Sequence, residues 1–304
     1  MTLQSIFFGA DGLLRSGWRF AIFVVLFISG GTVFGSLAVG AMYAVSGTIT
    51  PGSSPFLVVN GLVSLAVALV AGWLCGKYLE RLPFSALGAS FQRRWAVDFI
   101  FGMLLGTVTF AFGAALGIGG GGLSFALNSA PAGDVLWTLI ISLLVFAAAA
   151  AFEEALFRGY ILQTFVRSEL TLFGVMLTSL LFATVHNANP AATALSWVNT
   201  FIAGVWFAVA YLKTRNLWMP FGLHLAWNWT QGSIFGVEVS GLTEIVSAPV
   251  LRESDVGPAW LTGGNYGIEG GVITTVALIL STFAVKYLPI DPANQPTYGK
   301  NPLS

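Results

Sequence analysis

About eight apolar stretches, each near the length a helix needs to cross a bilayer, leave this chain few folds to choose from. They run near 20–45, 56–76, 97–118, 135–166, 172–187, 193–212, 218–236 and 271–288. Inside a bilayer the backbone must satisfy its own hydrogen bonds, so continuous apolar runs of this length predict helices. The expected fold is all-α: a polytopic membrane protein of about eight transmembrane helices. Only 9% of the 304 residues are charged and 56% are hydrophobic, against roughly 25% charged in soluble domains. Net charge is zero and no basic block occurs, so the lipid bilayer is the expected surrounding and nucleic acid is not an expected partner. Arg15 and Arg19 precede the first run, but that run is too long for a signal-peptide core and reads as a retained span. The single Cys75 rules out an internal disulfide and a cysteine-based metal site. No cysteine lies near Pro302-Leu303-Ser304, so no prenylation of this chain is expected.

Charge alternates along the connections. Lys77, Arg81, Arg93 and Arg94 crowd the second, Arg167 the fourth, and Lys213 and Arg215 the sixth. The third carries Asp134, and the seventh, 237–270, has an acidic excess. The positive-inside rule then puts both termini and the basic connections in the cytoplasm. Residues 1–134 are read as N-terminal transmembrane helices, 135–288 as the functional core, and 289–304 as a disordered cytoplasmic tail. Gly31/Gly35, Gly72/Gly76, Gly102/Gly106 and Gly113/Gly117 are expected to let helices approach closely. Gly117–Gly122 fits a dinucleotide fingerprint formally, yet it follows a span and opens no βαβ unit, so it reads as a loop.

The stretch 147–160, AAAAAFEEALFRGY, places Glu153, Glu154 and Arg158 inside an apolar run. Ionisable groups at that depth are costly and point to function. On a helix Glu154 and Arg158 share a face at i and i+4, whereas Glu153 points about 100° away. Glu153, on the face of Ala149, Ala150 and Phe157, is the candidate general base, with Glu154 and Arg158 in support. A hairpin turning near Leu170 brings His186 to the depth of Glu154. The helix-breaking run Asn187–Pro190 is expected to border the site. His224 and Asn228, again i and i+4, face one way. Trp218, Trp227 and Trp229 beside them allow a second reading, an interfacial aromatic belt with polar anchors. A Glu with a neutral His can deprotonate a water, and a His–Asn pair can donate to a developing oxyanion. The expected cavity lies between helices four, five and seven and suits peptide hydrolysis. No GxSxG, HExxH or catalytic cysteine occurs.

Glu153-Glu154-x-x-x-Arg158, Phe182-x-x-x-His186 and His224-x-x-x-Asn228 resemble, in order, the three motifs of the CAAX protease and bacteriocin-processing family of intramembrane glutamic endopeptidases. The resemblance covers roughly 135–236. It implies eight helices, a catalytic cavity reached from the cytoplasm, and water activation by Glu153 with His186. It also implies an oxyanion hole of His224 and Asn228, and a membrane-anchored protein or peptide as substrate. The 257–271 loop resembles bacterial members, which implies a bacterial inner-membrane protein. No cofactor is expected. A zinc protease remains an alternative, since two Glu and two His could ligate the metal; a non-catalytic scaffold, immunity factor or transporter is another.

Overall fold

The computed structural model describes residues 6–9, 11–91 and 93–290; from residue 291 the expected tail lies outside them. Each apolar stretch forms a helix. In order these are α1 (Ser16–Ser46), α2 (Ser54–Leu79), α3 (Trp95–Gly119), α4 (Ala132–Arg167), α5 (Thr171–His186), α6 (Ala194–Thr214), α7 (Trp218–Trp229) and α8 (Val272–Tyr287). The chain is thus a multi-pass, all-α membrane protein. Among the described residues five helices are long and apolar enough to cross a membrane, whereas α5 and α8 are shorter apolar helices. Their shortness has a local cause. Pro190 disfavours helix in the residue before it, so α5 stops at His186 and a turn follows. At the start of α8, Gly271 is extended and packed too tightly for a side chain: a Cβ there would overlap the Leu261 carbonyl.

Two helices change winding where the sequence suggested regular spans. The stretch Ala155–Ile161 of α4 is π-helical, with Gly159 at φ −71° and ψ −114°, and Thr230–Ile234 continues α7 as a second π turn. Such turns insert a residue and recur at functional sites.

Small residues set the closest helix crossing, that of α3 on α7. A Cβ at Gly102 would overlap the Met219 carbonyl, one at Gly106 the Leu223 carbonyl, and one at Gly222 the Phe99 carbonyl. Backbone therefore lies on backbone, as expected of glycines in lipid. Gly72 lies close to the Leu87 and Tyr160 side chains, with room for little more than a hydrogen, whereas a Cβ at Gly31 or Gly35 would meet open space.

The two ends of the bundle are built differently. At the basic end, Glu80, just past α2, accepts from Arg19 Nη1 at 2.7 Å and from Arg167 Nε and Nη2 at 3.0 and 2.7 Å. Arg167 also donates to Gln163 Oε1 at 3.2 Å, and Gln163 Nε2 to the carbonyls of Leu87 and Arg158. Asn216 donates to Asp98 at 2.6 Å, and Lys213 to the Lys286 carbonyl at 3.2 Å. At the other end, β1 (Leu123–Leu127) pairs antiparallel with β2 (Leu251–Asp255), from Leu123↔Asp255 to Leu127↔Leu251. This two-stranded sheet ties the long 235–271 segment to the end of α3.

Burial pushes the Glu80 carboxyl up, but the hydrogen bonds and charges of Arg167 and Arg19 outweigh it and hold the group below its ordinary value of 4.5. A lowered folded value means that the folded state binds fewer protons there than the unfolded chain. Its contribution is complete above the ordinary value and is lost as pH falls through the folded one. Thermal unfolding of the detergent-solubilised protein should therefore show Tm falling on acidification below about pH 4.5. Glu80→Gln should lower Tm at neutral pH and reduce that acid-dependent drop.

Candidate active site

Helix α4 delivers three of the expected residues. Arg158, fully buried, donates from Nη1 to Glu154 Oε1 at 2.9 Å and from Nη2 to the Gly204 carbonyl at 2.9 Å. Its guanidinium carbon lies 4.7 Å from the Phe182 ring centre and 5.1 Å from that of Phe207. The i, i+4 pairing of Glu154 with Arg158 is thus present, and it is wrapped in aromatic faces that favour a guanidinium over an ammonium.

His224 of α7 completes this tie. Its Nδ1 lies 2.9 Å from Glu154 Oε1, and its ring stacks on Phe207 with centroids 4.6 Å apart. An ionised carboxylate can only accept, so Nδ1 carries the hydrogen and Nε2 faces the other way. That nitrogen is 3.7 Å from Glu153 Oε2. His186, the last residue of α5, is held alike: its Nδ1 lies 2.8 Å from the Phe182 carbonyl, which fixes a donor there. Its Nε2 is 3.9 Å from the same Glu153 oxygen. Two imidazole nitrogens converge on one carboxylate oxygen that is buried and has no hydrogen-bond partner among the described residues.

This oxygen belongs to a cavity of about 320 Å³ lined by Glu153, His186, His224 and Asn228 together with Ala149 and Phe152. Asn189, in the break after α5, also lines it, as expected of a segment bordering the site. Ala150 and Phe157, expected beside Glu153, pack elsewhere, Ala150 with Phe146 and Leu225 and Phe157 with Phe182. Among the described residues no three His, Cys, Asp or Glu side chains group as metal ligands.

Each of the three tryptophans has an acceptor for its indole N–H. Trp218, Trp227 and Trp229 donate their indole N–H to Ser90 O, Glu269 Oε1 and Leu139 O at 3.0, 3.0 and 3.1 Å. Glu269 is the residue that sequence reasoning passed over. It lines the cavity, accepts from Trp227, and binds the Ser240 N–H and hydroxyl at 2.6 and 2.9 Å. Its signal in the sequence was a carboxylate directly before Gly270 and Gly271, two glycines crowded by backbone.

A multi-pass helical protein with two histidines and a glutamate meeting in an intramembrane cavity defines a narrow class. Residues 135–230 match the family model described as "Rce1-like: Type II CAAX prenyl endopeptidase Rce1-like". This segment, about a third of the chain, is similar to the CAAX protease family, a family of proteases. All six residues singled out from the sequence fall inside it. No curated protein matches the chain.

The Arg158 tie makes a stability prediction. Arg158→Ala strands a buried Glu154 carboxylate and should destabilise the protein by about 3–5 kcal/mol. Arg158→Lys keeps the charge but cannot span Glu154 and Gly204 with one planar fork, so a smaller loss is expected. Thermal unfolding of the two variants in detergent checks the order.

Proposed function

We propose that the protein is an intramembrane endopeptidase that hydrolyses peptide bonds of membrane-associated proteins or peptides with a water activated by Glu153 and His186. The observation that carries this reading is the unpartnered Glu153 Oε2 between the Nε2 atoms of His186 and His224, at 3.9 and 3.7 Å. Both gaps exceed a direct hydrogen bond and suit one bridging water. The hydrogen on His186 Nδ1 leaves Nε2 as an acceptor, so that water can be held by Glu153 and His186 together.

In the proposed step Glu153 takes a proton from the water, and the hydroxide oxygen bonds to the carbonyl carbon of the substrate. The carbonyl oxygen becomes an oxyanion, stabilised by the Asn228 side-chain amide and by His224 Nε2–H, whose proton His224 takes from solvent before the attack and returns afterwards. The carbon–nitrogen bond then breaks as Glu153 returns the proton to the departing amine. The Glu154–Arg158 pair holds His224 in the orientation this requires. The catalytic core is assigned to 135–288, in a membrane with both termini cytoplasmic.

Purified protein and variants assayed on a peptide or membrane-anchored protein test this. Glu153→Gln and His186→Ala should each lower kcat by at least about 10²-fold. Asn228→Ala should lower it by about 10²–10³-fold. Unchanged turnover in Glu153→Gln would leave a scaffold or transporter as the better reading. Activity should survive chelation; loss with EDTA and recovery with zinc would replace the Glu–His water by a metal-bound one.

A further inference from the structure

The charge of the bundle ends and the position of the cavity together say which side of the membrane feeds the site. Contacts among Arg19, Glu80 and Arg167, between Asp98 and Asn216, and between Lys213 and Lys286 place the starts of α1 and α3 and the ends of α2, α4, α6 and α8 at one end. That end carries the Lys and Arg residues of the second, fourth and sixth connections. The opposite end consists of 47–53, 120–131, 187–193 and 235–271, where Arg252 stands alone among five acidic residues, Glu238, Glu244, Glu253, Asp255 and Glu269. The segments of this second end meet one another: a Cβ at Gly241 would overlap the Pro190 carbonyl, and one at Gly52 would crowd Glu244. So large an imbalance of basic residues assigns the first end to the cytoplasm.

The cavity opens at the acidic end. Its wall includes Leu57 and Asn60 from the start of α2, Val185 from the end of α5, and Asn189, Ser240 and Leu242 from the connections of that end. No lining residue comes from 80–94, 168–170 or 215–217 at the basic end. Below the site, fourteen residues of α4 separate Glu153 from Arg167, a rise of roughly 21 Å, and Gln163, Arg167 and Glu80 close that end with buried hydrogen bonds. Helix α5, sixteen residues and so roughly 24 Å long, falls short of a bilayer core of roughly 30 Å. The shortfall lies on the acidic side. Helix α2 packs on α1 and α4, and α5 packs on α4 and α6. Asn60, Val185 and Leu242 are the exposed members of its wall.

We infer that the Glu153 centre is supplied from the extracytoplasmic half of the membrane, past Asn60, Val185 and Leu242. Its substrates are membrane-anchored polypeptides whose scissile bond lies at or beyond the extracytoplasmic end of an apolar segment. The apolar lip of Leu57, Phe152, Val185, Leu242 and Ile245 suits such a segment. A cytoplasmic chain terminus has no path to the site. The access expected from the family resemblance is thereby reversed for this chain, and the substrate class rests on the peptidase reading.

Single-cysteine variants of the full chain separate the two ideas. In a Cys75→Ser background, Thr243→Cys, Asn60→Cys and Arg93→Cys are treated with a small membrane-impermeant thiol reagent in right-side-out and in everted vesicles of the expressing cells. Thr243→Cys and Asn60→Cys should react in right-side-out vesicles, with Arg93→Cys reacting only after eversion. Reaction of Asn60→Cys only in everted vesicles overturns the inference, whatever the activity. In parallel, a quenched fluorescent peptide library coupled to dextran is offered to both vesicle types and to purified protein. Cleavage that depends on Glu153 should occur in right-side-out vesicles and be lost in everted ones. The opposite pattern overturns the assigned side while leaving the peptidase intact. Absence of Glu153-dependent cleavage even by purified protein fails the peptidase reading and the substrate class resting on it, and the thiol reactions then decide the side alone.

Discussion

Everything near the cavity hangs from one fully buried guanidinium. Arg158 satisfies Glu154, Glu154 satisfies His224, and the second oxygen-facing nitrogen of His224 is thereby aimed at Glu153. A charge taken out of water is costly unless it is paired and hydrogen-bonded. Separating α7 from α4 would take the His224 hydrogen bond from Glu154 in that buried setting, which holds the two helices together. The Gly204 carbonyl adds α6 to the same junction, and Phe182 brings α5 against the guanidinium face. Four helices share one charge.

The rest of the fold supplies the closeness that this junction needs. Carbonyls of α7 rest on Gly102 and Gly106 of α3, so the helix bearing His224 and Asn228 is seated by backbone, without intervening side chains that could repack. On the acidic side Glu269 fastens Trp227, next to Asn228, to the loop at Ser240. The aromatic residues around the imidazoles exclude water from all but the cavity face, where polar contacts then gain strength.

Much of this was legible in the sequence because it depends on short-range periodicity. Helix positions followed from apolar run length, and the Glu154–Arg158 pair from a spacing of four. The break after His186 followed from Asn187–Pro190. What the sequence could not disclose depends on contacts between distant segments. Nothing local says that Glu154 meets His224, seventy residues on, or that Trp227 reaches Glu269. The π turns were invisible too, since winding is decided by tertiary packing more than by propensity. The direction of access was likewise out of reach, because it depends on where the cavity lies between the two ends of the bundle.

The π turn at Ala155–Ile161 has a consequence for how such a chain can vary. It holds one residue more than a regular helix would need between the two parts of α4. Deleting one residue there would restore even winding with both parts of α4 still in phase. A deletion in the regular turns just beyond it would instead swing one part against the other by about 100°. With Glu153 and Glu154 in place, Gln163 and Arg167 would then turn away from Leu87 and Glu80. The π turn is thus the place where α4 can lose a residue and still serve both the cavity and the charged end.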